Sequence, residues 1–523
     1  MDVFCAWVRV FHFFGFILIS GAVFAALSAV ADSTNRDPVL ELLLKKGVIS
    51  EDEVQKAQGQ IDEMRSNNYV NAMPPIESKW RIGKSIKNLE IYGDLRLRYE
   101  HREATAPDDS RIELERLRYS ARLGLRGEVF DDFYYGVRLD TGANPRSAWV
   151  TAATSASGTP YQGPFGKSNA GINVGQVYIG WRPEDWVDLT FGKFANPIYT
   201  TPMIWDSDIN PEGFAERFKY MIGQADFIAN FGQFLYQDTN PTHSSEGFFN
   251  VNHTSSSPAF LLAWQLGINY RFTEDLSFKV APVLYNYTGH GANGTAPGAP
   301  VAPDFSGTYV GQGAATNIAG TAGGAWSGFP GGFYDGFTAN QTGINDLLVV
   351  DIPWEVNWKI NKLNTRLFGD YAQNLNGNQR AEAAFNASTS NGRIAPISSP
   401  QTDENKAYQI GLAFGIKDSL GMVNGSTCRR HAWELRGYWQ HIEQYALDPN
   451  LIDSDYFEGR ENMEGVFGAL GYGLTDNVLA TVRYGYARRI NKNLGTGGSN
   501  QDIPQINPIE HYNILQFDLS FRF

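Results

Sequence analysis

The last residues of the chain, His511 to Phe523 (HYNILQFDLSFRF), allow few folds. Leu515, Phe517, Leu519, Phe521 and Phe523 fall on one parity; Gln516, Asp518, Ser520 and Arg522 fall on the other. Strict alternation marks a strand whose two faces meet different solvents. Its apolar row runs to the final residue, so something other than water has to cover it. A second sheet or a lipid bilayer would meet that demand, and the rest of the chain decides between them.

The chain has 523 residues, 13% of them aromatic, with 54 Gly and a net charge of −13. Beyond the amino terminus no run of about 18 apolar residues occurs, which excludes helical membrane spans. Barrel strands hide in such a composition, because every second residue is polar. The acidic balance argues against a nucleic-acid partner. The two cysteines are Cys5 and Cys428, and Cys5 lies in a segment expected to be removed. No disulfide framework or Cys-based metal site follows.

An apolar stretch from about Phe11 to Leu27 followed by SAVADS predicts a signal peptide over residues 1–31, cleaved after Ala31. A retained anchoring helix is the alternative. Residues 32–66 read as a small periplasmic helical segment. Pro38 signals a helix start, Gly47 a stop, and Ser50 with Glu53 a capping box. Val54, Ala57, Ile61 and Met64 then share one helix face. The segment is either a plain helical hairpin or a contact for trimerisation or the cell wall. Residues 67–87, with Pro74 and Pro75, read as a linker.

From 88 to 523 the period is two. Leu89, Ile91, Leu95, Leu97 and Tyr99 alternate with Glu90, Tyr92, Asp94, Arg96 and Arg98. The next strand sets Leu117, Leu123 and Leu125 against Arg118, Arg122 and Arg126, and the third sets Val137 and Leu139 against Arg138 and Asp140. Arginine at every second position on neighbouring strands suits a wet lumen better than a sandwich core. Short turns, such as Asp131-Asp132 and Thr475-Asp476, alternate with long loops, and one short-side turn near Ser419 to Cys428 is longer than this rule allows. The pattern predicts an all-β transmembrane β-barrel of about 16 antiparallel strands, with both chain ends in the periplasm. Pro282 and Pro353 fall inside predicted strands, as bulges or as misplaced boundaries. Trp181, Trp186, Trp264, Trp354, Trp358, Trp433 and Trp439 fit interfacial girdles. The loop from Gly291 to Gly343 has the composition of poorly ordered filler.

The ending resembles the closing strand of bacterial outer-membrane barrels, whose terminal Phe belongs to the assembly signal. With LLLKKGVISEDE, GKFANP, WDSDINPEG and the terminal FRF, the whole mature chain resembles porins, most closely the "putative porin" family. That resemblance implies a homotrimer in outer-membrane lipid, with Phe523 presented to the barrel-assembly machinery. In general diffusion porins the third outer loop folds inward, its acids facing arginines on the wall. Carried over, Asp206, Asp208 and Glu212 would be constriction-loop acids, and Arg96, Arg98, Arg118, Arg122, Arg126 and Arg138 would line the pore. The plainer alternative has the acids capping turns and the arginines pairing with Glu90, Asp94 and Glu128.

The expected function is an outer-membrane channel for passive diffusion of ions and small hydrophilic solutes. A plugged barrel serving binding, adhesion or lipid uptake is the alternative, and an outer-membrane hydrolase a more distant one. The sequence holds no HExxH, no GxSxG and no His pair at ligand spacing, so neither an enzyme, a metal nor a cofactor is expected.

Overall fold

The computed structural model of the protein describes residues 44–47, 50, 52–54, 56, 86–130, 132–142, 147–152, 171–237, 259–288, 347–382, 399–496, 502–503, 506 and 508–523. The expected signal peptide, the linker up to residue 85 and the Gly-rich loop lie outside the described residues. The chain divides into two units, Met1–Gly83 and Lys84–Phe523.

In the first unit the capping chemistry is in place. Ser50 donates to Glu53 Oε2 from both its backbone N–H and its hydroxyl, each at 2.8 Å. Glu53 thereby satisfies a donor that the helix start leaves open. Gly47 takes a φ of 65° and its N–H donates to Leu44 O at 2.9 Å, a glycine stop.

The second unit is a ring of sixteen antiparallel strands. The first eight are β1 (Asn88–Thr105), β2 (Arg111–Glu128), β3 (Phe133–Gly142), β4 (Gly171–Glu184), β5 (Val187–Lys193), β6 (Glu212–Ile222), β7 (Ala225–Gln237) and β8 (Ala259–Thr273). Strands β9 (Leu276–Val280 with Val283–Thr288) and β10 (Leu348–Asp351 with Trp354–Ile360) are each interrupted once. The ring continues with β11 (Leu363–Asn374), β12 (Lys406–Ile416), β13 (Trp433–Ile442), β14 (Met463–Gly473), β15 (Val478–Arg489) and β16 (His511–Arg522). Each strand pairs with its chain neighbours, and β16 pairs back onto β1 from Asp94↔Arg522 to Thr105↔His511. Closure leaves no edge, so every strand finds both of its hydrogen-bonding partners.

The two prolines are interruptions rather than misplaced boundaries. The break at Ala281-Pro282 in β9 faces the break at Ile352-Pro353 in β10. Neither ring nitrogen can donate, but both carbonyls still accept: Leu266 N–H donates to Pro282 O and Ala281 N–H to Pro353 O, each at 3.1 Å.

The two parities meet different surroundings. Leu97, Leu117, Ile179, Phe191, Leu266 and Phe517 stand exposed on the outer wall, while Arg98, Glu100, Gln265, Gln516 and Asp518 are buried within. A row of exposed leucines around a closed wall is what hydrocarbon requires, and water would penalise it. Inside, Tyr92, Tyr134 and Tyr178 lie over Gly124, Gly180 and Gly136 on neighbouring strands.

At the seam, Gly93 N–H donates to Phe523 O at 3.0 Å and Phe523 N–H donates to Gly93 O at 3.1 Å. A Cβ at Gly93 would overlap the carbonyl oxygen of Arg122 and lie 2.7 Å from Phe523 Cζ. Backbone cannot yield as a side chain can. Gly93→Val is therefore expected to destabilise the barrel by about 1–3 kcal/mol, read as a lower urea midpoint for the refolded protein. Gly468→Ala, whose nearest neighbour is 3.9 Å away, should leave the midpoint in place.

Candidate functional site

Closing the ring brings the arginine-bearing faces of β1 and β2 onto the lumen, opposite acids carried by inward-folded loops. The third outer loop (194–211) crosses the barrel and is tied to the far wall. Tyr199 N–H donates to Gln265 Oε1 at 2.9 Å, Gln265 Nε2 donates back to Tyr199 O at 2.7 Å, and the Thr201 hydroxyl donates to Asp370. The seventh outer loop (443–462) folds in beside it. Asp206 N–H donates to Leu451 O at 2.6 Å and Asp453 N–H to Pro202 O at 3.1 Å, so the two loops are zipped backbone to backbone.

Both loops carry the same tripeptide there, Asp206-Ser207-Asp208 and Asp453-Ser454-Asp455. In each, the first aspartate accepts from the backbone N–H of the second at 2.8 Å. This Asx turn presents the second aspartate to the wall. Asp208 accepts from Arg122, and Asp455 accepts from Arg98 Nη1 at 2.7 Å and Nη2 at 3.2 Å. Arg98 also holds Asp518 on β16, with Nε at 2.7 Å and Nη2 at 2.9 Å. Removing one partner from such a buried pair costs about 3–5 kcal/mol.

The four loop acids divide by environment. Burial opposes ionisation of Asp208 and Asp455, but Arg122 and Arg98 respectively outweigh it and hold both carboxyls below the usual range. Among the described residues, Asp206 and Asp453 form no ion pair with an arginine. Burial and then the charge of Asp453 push Asp206 well up, and burial and then the charge of Asp455 push Asp453 up to about 7.

Between loops and wall lies a cavity of about 430 Å³. Arg96, Arg98, Arg118 and Arg122 line it, as do Asp206 and Asp208. Arg126 and Arg138 do not. Arg126 pairs with Glu90 at 2.7 and 2.8 Å near the strand end, and Arg138 pairs with Asp140 at 2.7 Å. Glu212 opens β6 and is exposed, bonded to Lys193 at 2.5 Å. Of the alternative pairings, Glu90 takes Arg126 and Asp94 lies 3.0 Å from Arg96, while Glu128 binds Asn88 instead.

Three further contributors escape a strand-by-strand reading. Trp149, on the second outer loop, is stapled to β2 where Val150 and Thr151 pair with Tyr119 and Arg118. Its ring faces Arg98, Arg96 and Arg118, with guanidinium carbons 4.1, 4.8 and 5.8 Å from the centroid. The overlong turn after β12 folds into the barrel end through a 3-10 turn at Met422–Asn424, and Val423, Asn424 and Gly425 line the cavity. Val423 N–H donates to Glu434 and its carbonyl accepts from Arg483, both at 2.9 Å. The acids of the seventh loop had a visible signal, the repeated Asp-Ser-Asp, and the inward turn had its excess length; Trp149 had none.

Fold and site together define a membrane-spanning barrel with a charged, loop-narrowed lumen. The "putative porin" family matches residues 107–309 and 345–523, and the chain belongs to that family. No curated protein matches the sequence. Among solved structures, OmpT of Vibrio cholerae is 9% identical over 85% of this chain and 99% of that one, with a TM-score of 0.38. The DcaP channel of Acinetobacter baumannii is 10% identical over 85% and 99%, at 0.38, and an anion-selective porin from Comamonas acidovorans 9% identical over 83% and 99%, at 0.39. At this level the likenesses carry no argument, and the fold rests on the closed hydrogen-bonded ring.

The Asp453 carboxyl makes a testable demand. Its raised pKa means that it is protonated below about pH 7 and charged above. Lowering the pH from 8 to 6 removes a negative charge from the lumen, so reversal potentials in a KCl gradient should move toward anion preference. Asp453→Asn should abolish that step.

Proposed function

We propose that this protein sits in the bacterial outer membrane as a water-filled channel for passive diffusion of ions and small hydrophilic solutes. The observation that carries this reading is the lumen itself, where arginines of the wall face aspartates of the inward-folded loops across a cavity. Opposed charges in a narrow, partly desolvated passage set a transverse field that orders water and disfavours apolar solutes. The pore lining is assigned to Arg96, Arg98, Arg118 and Arg122, with Arg126 and Arg138 at its periplasmic approach. The constriction is assigned to Asp206 and Asp208, with Asp453 and Asp455 of the seventh loop joining them and Glu212 at its margin. The loop acids saturate some of these arginines and leave the balance of charge to pH. Passage through such a site needs no covalent chemistry, which makes a channel a better account than an enzyme.

The chain is exported by cleavage after Ala31, both ends lie in the periplasm, Phe523 is read by the assembly machinery, and three copies associate through their outer walls in lipid. Membership of the family supports these assignments.

Conductance of the purified mature protein in a planar bilayer under a salt gradient tests the channel. Steady ohmic steps are expected. Silence from folded protein would overturn the reading in favour of a plugged binding barrel. Arg118→Gln with Arg122→Gln should move the reversal potential toward cations by several millivolts or more, in the sense that lost lumen charge dictates. Arg488→Gln removes one such charge from a side chain on the outer wall, paired with Glu464, and should move nothing.

A further inference from the structure

The four arginines that β1 and β2 bring to the cavity are unequally partnered. Arg98 is saturated by Asp518 and Asp455, and Arg122 is held by Asp208. Arg96 and Arg118 are not. Arg96 Nε lies 3.0 Å from Asp94 Oδ1 without the alignment of a hydrogen bond, and Arg96 Nη2 reaches Ser120 Oγ at 3.4 Å. Arg118 lies 3.7 Å from Glu100 and is also attracted by Asp502, but both carboxylates are already held by Arg102 and Arg116, Glu100 at 3.0 and 2.5 Å and Asp502 at 3.1 and 2.6 Å. Its Nε is buried with no acceptor among the described residues, and its side chain is 11% exposed. A buried guanidinium N–H without an acceptor costs free energy that a ligand oxygen recovers.

These two arginines are also held in place. They flank Arg98 on the inner face, since Arg98 stands opposite Arg118 in the register and Arg96 is the next inward residue on β1. Like charges so close repel. The face of Trp149 offsets that repulsion by presenting π density to all three guanidiniums, and its loop is bonded to β2 on its far side by Ala152 N–H to Leu117 O at 2.8 Å. The donors are therefore preorganised, which lowers the entropic cost of binding.

The rest of the cavity is mixed, with Arg436, Arg483, Arg522, Asp502 and Gln409 beside three further aromatic rings. Phe368 of β11, Tyr438 of β13 and Phe467 of β14 line it, with Tyr438 stacked on Phe467 at 4.9 Å between centroids. Inorganic anions have no use for such a wall. A carboxylate with a flat apolar body uses both parts: its oxygens fit planar guanidinium forks and its body replaces water on the rings. The volume of about 430 Å³ admits a molecule of that size.

We propose that Arg96 and Arg118 form a selective binding site for small aromatic carboxylates within the lumen, with Phe368, Tyr438 and Phe467 as the discriminating wall. The assignment rests on the channel reading for its role in transport, though not for binding itself. Asp206 and Asp453, whose carboxyls burial and neighbouring acids push up, present less negative charge to such a solute than ordinary aspartates would.

Two measurements on the full mature barrel test this. In planar bilayers, benzoate added to a chloride background should interrupt the current saturably, at concentrations about tenfold lower than acetate requires. Benzylammonium should not interrupt it. Isothermal titration of benzoate into the folded barrel in detergent reads the site without any current, so a silent pore with intact binding overturns only the channel. Arg96→Gln and Arg118→Gln should each weaken benzoate by about tenfold or more. Phe467→Leu should erode the preference for benzoate over acetate. Each variant is first shown to be folded by heat-modifiable migration in gels, and Arg118→Lys retains the charge if the glutamine variant fails to fold. Benzoate no tighter than acetate, or binding indifferent to both arginines, overturns the proposal.

Discussion

A polypeptide in hydrocarbon has no water to bond its backbone, and this requirement governs the whole molecule. The seam between β1 and β16 meets it, for without that pairing two strand edges would face lipid with open donors and acceptors. Once the ring closes, the two faces of every strand are committed. One meets acyl chains and the other a lumen, so a side chain's parity decides its solvent. Phe523 and Gly93 show how tight the closing register is: the terminal residue lies over a glycine that no larger residue could replace without displacing backbone.

Closure creates an electrostatic problem as it solves the hydrogen-bonding one. The polar faces of β1, β2 and β16 converge, and Arg98 and Arg102 end up almost inaccessible. Charges so placed are stable only when compensated. The wall supplies part of the compensation through Asp518 and Glu100, and the loops supply the rest. Charge compensation is thus a physical reason for the third and seventh loops to lie inside the barrel. Their Asp-Ser-Asp turns act as paired hands, each using one carboxylate to shape its turn and the other to hold an arginine.

Much of this was legible in the linear chain because a strand's side-chain period is short and local. Leu117 and Arg118 declare their faces by adjacency alone, and sixteen such alternations with short and long connections define the barrel. The third loop was legible through its acids and its place in the count. The seventh loop was not legible in this way although Asp453-Ser454-Asp455 repeats the third loop's tripeptide, because nothing local says that two loops about 250 residues apart share a wall. Arg126 and Arg138 show the converse. They have the right parity and stand outside the cavity, because parity fixes the face and leaves the height and the partner open. The long turn at Ser419 to Cys428 looked like an exception to a length rule, and it is an inward-folded segment held by Arg483.

The sequence by itself determined that this chain spans a membrane with strands, how many it uses, which residues face lipid, and that arginines gather on the inner wall. These are consequences of the two-residue period and of turn chemistry, and neither needs distant contacts. The tertiary structure alone decided which arginines are neutralised and which keep donors to spare. That distinction depends on closure, which brings Asp518 beside Arg98 across the seam and lays Trp149 and Asp455 over the same wall. Partners drawn from opposite ends of the chain leave no local trace, because Coulombic compensation acts through space and is indifferent to separation along the sequence.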